Sequence, residues 1–169
     1  EIDHDLIPII EETMEGFDNF YLVQGDALEL NLDDLIVEKL GAPHRCKVVA
    51  NLPYYITTPL VMHFLEQGFS IDRIVIMVQK EVAERFAANP GKKDYGAITV
   101  SLNYYGAVRN AFTVPRQMFT PQPDVDSAVV DIQPWVEKPL QAKDENLFHR
   151  LVKAAFGQRR KTLNNALKT

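Results

Sequence analysis

In the first half of the chain, short apolar runs rich in β-branched residues alternate with stretches of helical pattern, and this alternation limits the possible folds. The runs cover residues 20–23, 47–50 and 71–78. Strands that alternate with helices typically form a parallel sheet with helices on its faces. A chain of 169 residues that is 46% hydrophobic can bury one sizeable core but is short for two. The sequence therefore predicts an α/β domain.

Three helices are predicted between and after these runs. The first covers residues 57–66, where Thr57 suits the cap and Pro59 the first turn. The second covers residues 79–86 and continues directly from the third strand. Residues 97–105 are ambiguous, because their β-branched content suits a strand whereas their apolar side chains share one helical face. We favour a helix there.

In the second half of the chain, the sequence pattern predicts two strands followed by a linker and two helices. Its predicted elements are two strands at 108–114 and 127–132, a linker at 134–139, and helices near 146–156 and 161–168. We expect the two strands to form an antiparallel pair joined by a proline-rich stretch. We therefore divide the chain into a first domain over residues 1–136 and the beginning of a helical C-terminal domain over residues 137–169.

The charges are distributed unevenly along the chain, although the net charge is −5. Residues 1–40 contain twelve acidic side chains and one basic one, Lys39, whereas residues 150–169 contain six basic side chains and no acidic one. A basic terminal face suits contact with phosphates. It is equally typical of a solvated amphipathic helix, and charge alone leaves both interpretations open.

Several classes of protein are disfavoured by composition. No apolar run approaches the roughly 18 residues that a membrane-spanning helix needs. The single cysteine, Cys46, precludes an internal disulfide, and the four histidines lack metal-ligand spacing. We therefore expect a cytoplasmic protein with neither a membrane segment nor a metal site.

The most specific string is Asn51-Leu52-Pro53-Tyr54, which follows directly on the predicted strand 47–50. Open α/β sheets bind ligands just beyond the ends of their strands. The amino group of a nucleobase is a poor nucleophile because its lone pair is delocalised into the ring. The Asn51 side-chain oxygen and the Leu52 carbonyl could accept its two hydrogens, and Pro53 stiffens the turn without adding an N–H donor. The string therefore predicts a ligand site that could hold such an amino group.

Aromatic side chains are placed to hold a base that has been turned out of its stack. Extrusion of a base costs a few kcal/mol, and stacking on one aromatic face recovers ~1–3 kcal/mol. Tyr54 can provide one face. Phe119 can provide a second, because Pro121 and Pro123 stiffen its loop. Two faces would roughly offset the cost of extrusion.

Five segments, in order, resemble the ribosomal RNA adenine dimethyltransferase family: ANLPYYITTPL, QKEVAERF, YGAITV, FTPQPDVDSAVV and AAFGQRRKTL. The resemblance covers essentially the whole chain. It implies a Rossmann-like S-adenosylmethionine-dependent methyltransferase domain with a seven-stranded sheet, followed by a small helical C-terminal domain. It also implies N6,N6-dimethylation of two adjacent adenines near the 3′ end of small-subunit ribosomal RNA, coupled to ribosome assembly. The expected partner is this RNA within the assembling 30S particle, and we expect a monomer.

The resemblance also assigns roles to individual residues. It implies catalytic roles for Asn51, Leu52, Pro53, Tyr54 and Phe119, cofactor binding by Glu1, Ile2, Asp26, Ala27 and Asn51, and RNA binding by Arg159, Arg160 and Lys161. Glu1 would bind the ribose of S-adenosylmethionine, Asp26 its adenine amino group, and Ile2 its ring. From its position alone, Asp26 could equally be a helix cap.

We expect the chain to be truncated at its N-terminus, because the glycine-rich turn of such a domain would precede residue 1. The sheet would then be incomplete, without the N-terminal strand and the glycine loop that holds the methionine part of the cofactor. Three alternatives remain. They are a large-subunit ribosomal RNA methyltransferase of the antibiotic-resistance type, a non-catalytic small-subunit assembly factor and, less in keeping with Leu-Pro-Tyr, a DNA adenine methyltransferase.

Overall fold

The computed structural model describes residues 1–158 and 162–167. The chain divides into two compact units. The first comprises Glu1–Cys46 and Thr58–Ser70, and the second comprises Lys47–Thr57 and Ile71–Thr169. Within the described residues, no helix has the length and apolar character needed to cross a membrane.

The first unit is helical. It contains α1 (Ile7–Thr13), α2 (Leu32–Leu40) and all but the first residue of α3 (Thr57–Glu66). Helix α2 begins where the Asn31 side chain accepts hydrogen bonds from two backbone N–H groups of the first turn. It ends at Gly41, whose φ of 72° lies in the left-handed region that glycine adopts without strain.

The prediction of a strand at residues 20–23 is wrong. The structure assigns no strand there, although the run is apolar. Among the described residues, the extended neighbour of this run is Glu1, whose N-terminal amino group donates to the Val23 carbonyl at 2.8 Å and whose carbonyl accepts from Gly25 N–H at 2.9 Å. A strand requires a ladder of such pairs along an extended neighbour, and a single pair does not form one.

The second unit is built on a four-stranded sheet. Its strands are β1 (Cys46–Asn51), β2 (Ile71–Gln79), β3 (Gly106–Val114) and β4 (Ser127–Pro134), in the order β1-β2-β4-β3. Strand β4 pairs antiparallel with both β2 and β3, which confirms the antiparallel pair predicted in the second half. Where the resemblance implies seven strands, the described residues form four.

One face of this sheet forms a hydrophobic core. Alternate residues of β2 and β4 are almost completely buried: Ile74, Ile76, Val78, Ala128, Val130 and Ile132. Alternation of this kind follows from the two-residue period of a strand, which sends successive side chains to opposite faces. The residues that alternate with them along each strand, which include Met77 and Ser127, therefore lie on the other face.

In the described part of the second unit, four helices accompany the sheet. They are α4 (Lys80–Phe86), α5 (Ala97–Tyr105), α6 (Glu145–Gly157) and the short α7 (Leu163–Ala166). The helix favoured for 97–105 is confirmed, with Leu102 and Tyr105 buried on one face. Gly106 then begins β3, and a Cβ at this position would lie 2.6 Å from the Gln133 carbonyl oxygen. Only glycine permits so close a backbone approach.

The segment between β4 and α6 is bonded to the end of α5. Trp135 donates from its backbone N–H to the Tyr105 carbonyl at 2.9 Å and from its indole N–H to the Asn103 carbonyl at 3.1 Å. The Tyr104 hydroxyl accepts a hydrogen bond from Ala142 N–H at 3.2 Å. These hydrogen bonds attach the segment that we predicted to be a linker to α5. The domain boundary after residue 136 stays a prediction.

Side chains of α5, of this segment and of α6 form a cluster that we call the linker cluster: Tyr104, Tyr105, Trp135, Lys138, Glu145, Phe148 and His149. The Lys138 ammonium lies 4.6 Å from the centroids of both tyrosine rings and 2.6 Å from the Glu145 carboxylate. The Tyr104 hydroxyl donates to that carboxylate at 2.9 Å. The hydrogen bonds from Lys138 and Tyr104 lower the pKa of Glu145 below the ordinary 4.5.

Candidate functional site

A cavity of about 320 Å³ opens beyond the end of β1, within the second unit. We call it the base pocket. It is lined by Asn51, Leu52, Pro53, Tyr54, Met77, Phe119, Pro121, Pro123 and Ser127. None of these nine side chains is acidic or basic. The base pocket therefore suits a neutral, planar group better than an anion.

The turn after β1 positions the first part of the base pocket. Strand β1 ends at Asn51. Leu52 is buried, and the Pro53 carbonyl accepts hydrogen bonds from Ile56 N–H and the Thr57 hydroxyl, both at 3.1 Å. These contacts fix the turn and leave Asn51 and Tyr54 exposed at its surface.

The loop between β3 and β4 supplies the second part. It contains a single 3-10 turn, Arg116–Met118, directly before Phe119. Arg116 N–H donates to the Asp126 carboxylate at 3.0 Å, and its guanidinium donates to the Asp124 carbonyl at 3.0 Å. The two bonds hold the base of the loop closed. Phe119, Pro121 and Pro123 thereby line the base pocket from a defined loop.

The structure brings together all five residues that the sequence nominated for catalysis. Residues 51–54 and Phe119 come from distant parts of the chain and line one cavity. Two lining residues were missed, Met77 and Ser127. The available signal was strand alternation, because each lies one position away from a buried core residue of β2 or β4.

The polar side chains of the base pocket are free to bind a ligand. Among the described residues, none makes a hydrogen bond to the Asn51 amide, the Tyr54 hydroxyl or the Ser127 hydroxyl. An amide and two hydroxyls supply both donors and acceptors. Together with the aromatic rings of Tyr54 and Phe119, they can hold a planar heterocycle by its edge and its faces.

The residues nominated for cofactor binding at the N-terminus lie in the first unit. The Glu1 carbonyl accepts a hydrogen bond from Gly25 N–H, which brings Glu1 beside Asp26. The Glu1 carboxylate accepts from the N–H groups of Ile2 and Asp3 at 3.0 and 2.9 Å through Oε1. Its other oxygen remains available to an incoming hydroxyl. Ile2 is 61% exposed, so its side chain can cover an apolar ring.

Asp26 begins a turn, and the helix-cap interpretation is wrong because no helix follows before α2 begins at Leu32. The Asp26 Oδ1 accepts from Leu28 N–H at 2.9 Å, and its carbonyl accepts from Glu29 N–H at 3.0 Å. Asp26 and Ala27 are both half-buried. Since one carboxylate oxygen takes the turn bond, the other can accept from an amino group. The turn therefore leaves Asp26 able to bind a ligand.

The remaining nominated residues, Arg159, Arg160 and Lys161, lie outside the described residues. Over residues 1–158 and 162–167, no group of three or more His, Cys, Asp or Glu side chains has a geometry that could hold a metal ion.

Relatives of the chain carry one common name. A protein from Latilactobacillus sakei is 47% identical over 99% of this chain and 56% of its own length, and one from Clostridioides difficile is 48% identical over 99% and 57%. A third, from Ligilactobacillus salivarius, is 46% identical over 100% and 57%. All three are named ribosomal RNA small subunit methyltransferase A. The chain spans somewhat more than half the length of these relatives.

Solved structures have the same fold. A dimethyladenosine transferase from Plasmodium falciparum superposes with a TM-score of 0.79 at 28% identity, over 100% of this chain and 58% of that one. The 23S rRNA methyltransferase ErmE superposes with a TM-score of 0.76 at 24% identity, over 99% and 64%, which shows the fold alone. The predicted Rossmann-like methyltransferase fold is therefore confirmed.

The family model for ribosomal RNA adenine dimethylases matches residues 1–169, the full length of the chain. This match agrees with the identity to the small-subunit methyltransferases and with the position of residues 51–54 at the end of a sheet strand. The chain belongs to the ribosomal RNA adenine dimethylase family.

Proposed function

We propose that this protein uses S-adenosylmethionine to dimethylate N6 of two adjacent adenines near the 3′ end of small-subunit ribosomal RNA. The observation that carries the proposal is the base pocket, in which residues 51–54 and Phe119 surround a neutral cavity with unpaired polar groups. The names of the relatives support the choice of the small subunit. We further propose that the protein acts in the cytoplasm, as a monomer, on the assembling 30S particle.

Asn51 and Leu52 would prepare the amino group of the target adenine. The Asn51 side-chain oxygen and the Leu52 carbonyl accept its two hydrogens, and this draws the nitrogen lone pair out of conjugation with the ring. Pro53 keeps the turn stiff, and its own carbonyl is already bonded to Ile56 and Thr57. The Leu52 carbonyl therefore belongs to a turn whose backbone is fixed before the substrate arrives, which lowers the cost of alignment.

Tyr54 and Phe119 would hold the extruded base. Tyr54 is 45% exposed at the base pocket, so its ring can stack on an incoming base. Each stacked face contributes ~1–3 kcal/mol, against an extrusion cost of a few kcal/mol. Two faces together can therefore stabilise the extruded state enough for methyl transfer.

The cofactor would bind through Glu1, Ile2, Asp26, Ala27 and Asn51. When bound, S-adenosylmethionine supplies a methyl group on a positively charged sulfur, which makes a strong general base unnecessary. The free oxygen of the Glu1 carboxylate suits the ribose hydroxyls, and Asp26 suits the adenine amino group. The exposed Ile2 side chain suits the face of the adenine ring.

The ribosomal RNA would also contact the basic string Arg159, Arg160 and Lys161. Each phosphate that such a string neutralises releases counterions, so binding should weaken steeply with salt. Replacing Arg159 and Arg160 by glutamate should weaken RNA binding and flatten its dependence on salt concentration. An unchanged salt slope would rule out this role.

Methyl transfer from labelled S-adenosylmethionine to immature small subunits tests the proposal directly. Asn51→Ala should lower the rate by about 100-fold or more, the usual scale for loss of one fixed hydrogen-bonding group in a reacting site. Asn19→Ala, at an exposed residue outside the base pocket, serves as the matched control. Full activity of Asn51→Ala would contradict the assignment. Subunit binding without any methyl transfer by the wild-type chain would favour the assembly-factor alternative.

A further inference from the structure

The Ser127 hydroxyl lines the base pocket, although the residue as a whole is only 2% exposed. Among the described residues, none bonds to this hydroxyl. Its oxygen is not one of the fully enclosed unpaired polar atoms of these residues, so it is open to the base pocket. A ligand that enters the base pocket can therefore bond to it.

Strand geometry places the Ser127 side chain on the face where the base pocket opens. Its neighbour Ala128 is fully buried on the core face, and successive side chains of a strand point in opposite directions. Ser127 is paired with Gln79, and Val129 with Met77. Met77 and Ser127 thus lie on the same face, and both line the base pocket.

The chemistry of adenine indicates which bond the hydroxyl makes. Under the proposed function, Asn51 and the Leu52 carbonyl accept from the amino group. The ring nitrogens on either side of that group, N1 and N7, are acceptors and need a donor. A serine hydroxyl can donate one hydrogen bond, and Ser127 is the most deeply buried polar side chain of the base pocket.

We propose that the Ser127 hydroxyl donates a hydrogen bond to N1 or N7 of the target adenine and so sets the rotation of the base in the base pocket. The inference rests on the proposed function and adds a residue to its substrate site. Rotation matters because the amino nitrogen must face the incoming methyl group within a narrow range of angles. Ser127 thus binds the substrate and positions its reacting nitrogen.

Replacement of single atoms in the substrate tests this bond. The probes are three short RNA hairpins that carry adenosine, 1-deazaadenosine or 7-deazaadenosine at the target position, each of which keeps the amino group. Wild type should bind or methylate one of the two analogues about 3- to 10-fold less well than adenosine, the scale of one neutral hydrogen bond. Ser127→Ala should bind or methylate the hairpin with that analogue as well as it does the hairpin with adenosine. Ser127→Thr, which keeps a hydroxyl, should discriminate as wild type does.

The controls separate this inference from the proposed function. Ser101→Ala, on α5 and outside the base pocket, should keep the wild-type preference. If wild type does not distinguish adenosine from either analogue, or if Ser127→Ala keeps the preference, the role of Ser127 is overturned. In both cases a loss of methyl transfer in Asn51→Ala would leave the proposed function standing. A wild-type chain that neither binds nor methylates any of the hairpins, and that transfers no methyl group to immature small subunits, would overturn both.

Discussion

The base pocket and the linker cluster belong to the same compact unit, but their side chains are bonded in opposite ways. In the base pocket, the polar groups of Asn51, Tyr54 and Ser127 find no partner among the described residues. In the linker cluster, Tyr104 and Glu145 bond to one another and to their neighbours. The linker cluster is therefore typical of side chains that stabilise the fold, and the base pocket is typical of a ligand-binding site.

This difference separates stability from activity. Side chains whose bonds are all internal contribute mainly to the free energy of unfolding. Side chains whose polar groups have no partner in the protein contribute mainly to ligand binding, because their hydrogen bonds form only with the ligand. Substitutions in the linker cluster should therefore lower stability, and substitutions in the base pocket should lower activity at nearly constant stability.

The largest expected change in stability follows from Tyr104→Ala. It removes two hydrogen bonds, a ring contact with Phe148 at 4.6 Å and the face on which Lys138 lies. Truncation of a well-packed aromatic side chain typically costs ~3–5 kcal/mol, and because Tyr104 is only half-buried we expect the lower end. Urea unfolding would measure the loss. Tyr104→Phe keeps the ring and should cost only ~1 kcal/mol. A measured loss below ~1 kcal/mol for Tyr104→Ala would contradict the stabilising role of the linker cluster.

Tyr54→Ala tests the opposite region. It should reduce kcat/KM for methyl transfer by an amount that corresponds to ~1–3 kcal/mol, the contribution of one stacked base. The midpoint of urea unfolding should hardly move, because Tyr54 is 45% exposed and makes no hydrogen bond to the described residues. Tyr54→Phe keeps the stacking face and should retain most of the activity. If Tyr54→Ala unfolds at a lower urea concentration but keeps its kcat/KM, then Tyr54 stabilises the fold and does not bind the substrate.

Asp26→Ala extends the comparison to the first unit. Asp26 has one carboxylate oxygen in a turn bond to Leu28 N–H and one that we assign to the cofactor. Calorimetric titration of S-adenosylmethionine into the chain should show binding that is weakened about tenfold in the variant, the scale of one charge-assisted hydrogen bond. Asp26→Asn keeps an acceptor for the turn bond and separates the two roles. Equal affinity of wild type and both variants would leave Asp26 with its role in the turn alone.

The sequence predicted much of the second unit because local signals and tertiary structure agree there. The turn at residues 51–54 was placed correctly because it follows a strand that is itself strongly β-branched. The strand prediction for residues 20–23 was wrong because a strand is defined by its neighbour, and among the described residues this run pairs only with Glu1. Ser127 was missed as a lining residue because its position depends on which face of β4 packs into the core. The packing of the whole sheet determines which face of β4 is buried, and the identity of one residue does not.

The smallest expected effect concerns pH and again distinguishes the linker cluster. Lys138 and Tyr104 lower the pKa of Glu145 below 4.5 in the folded chain. A carboxylate with a depressed pKa stabilises the fold above its unfolded pKa, and this contribution is lost as the pH falls through the folded pKa. Because the Glu145 side chain is 46% exposed, solvent screening limits the contribution to a few tenths of a kcal/mol. Urea unfolding of wild type and Glu145→Gln should therefore differ slightly at pH 6 and converge well below pH 4.5. High salt should narrow the difference at pH 6, whereas a difference that persists in strong acid would show that Glu145 acts through packing and not through its charge.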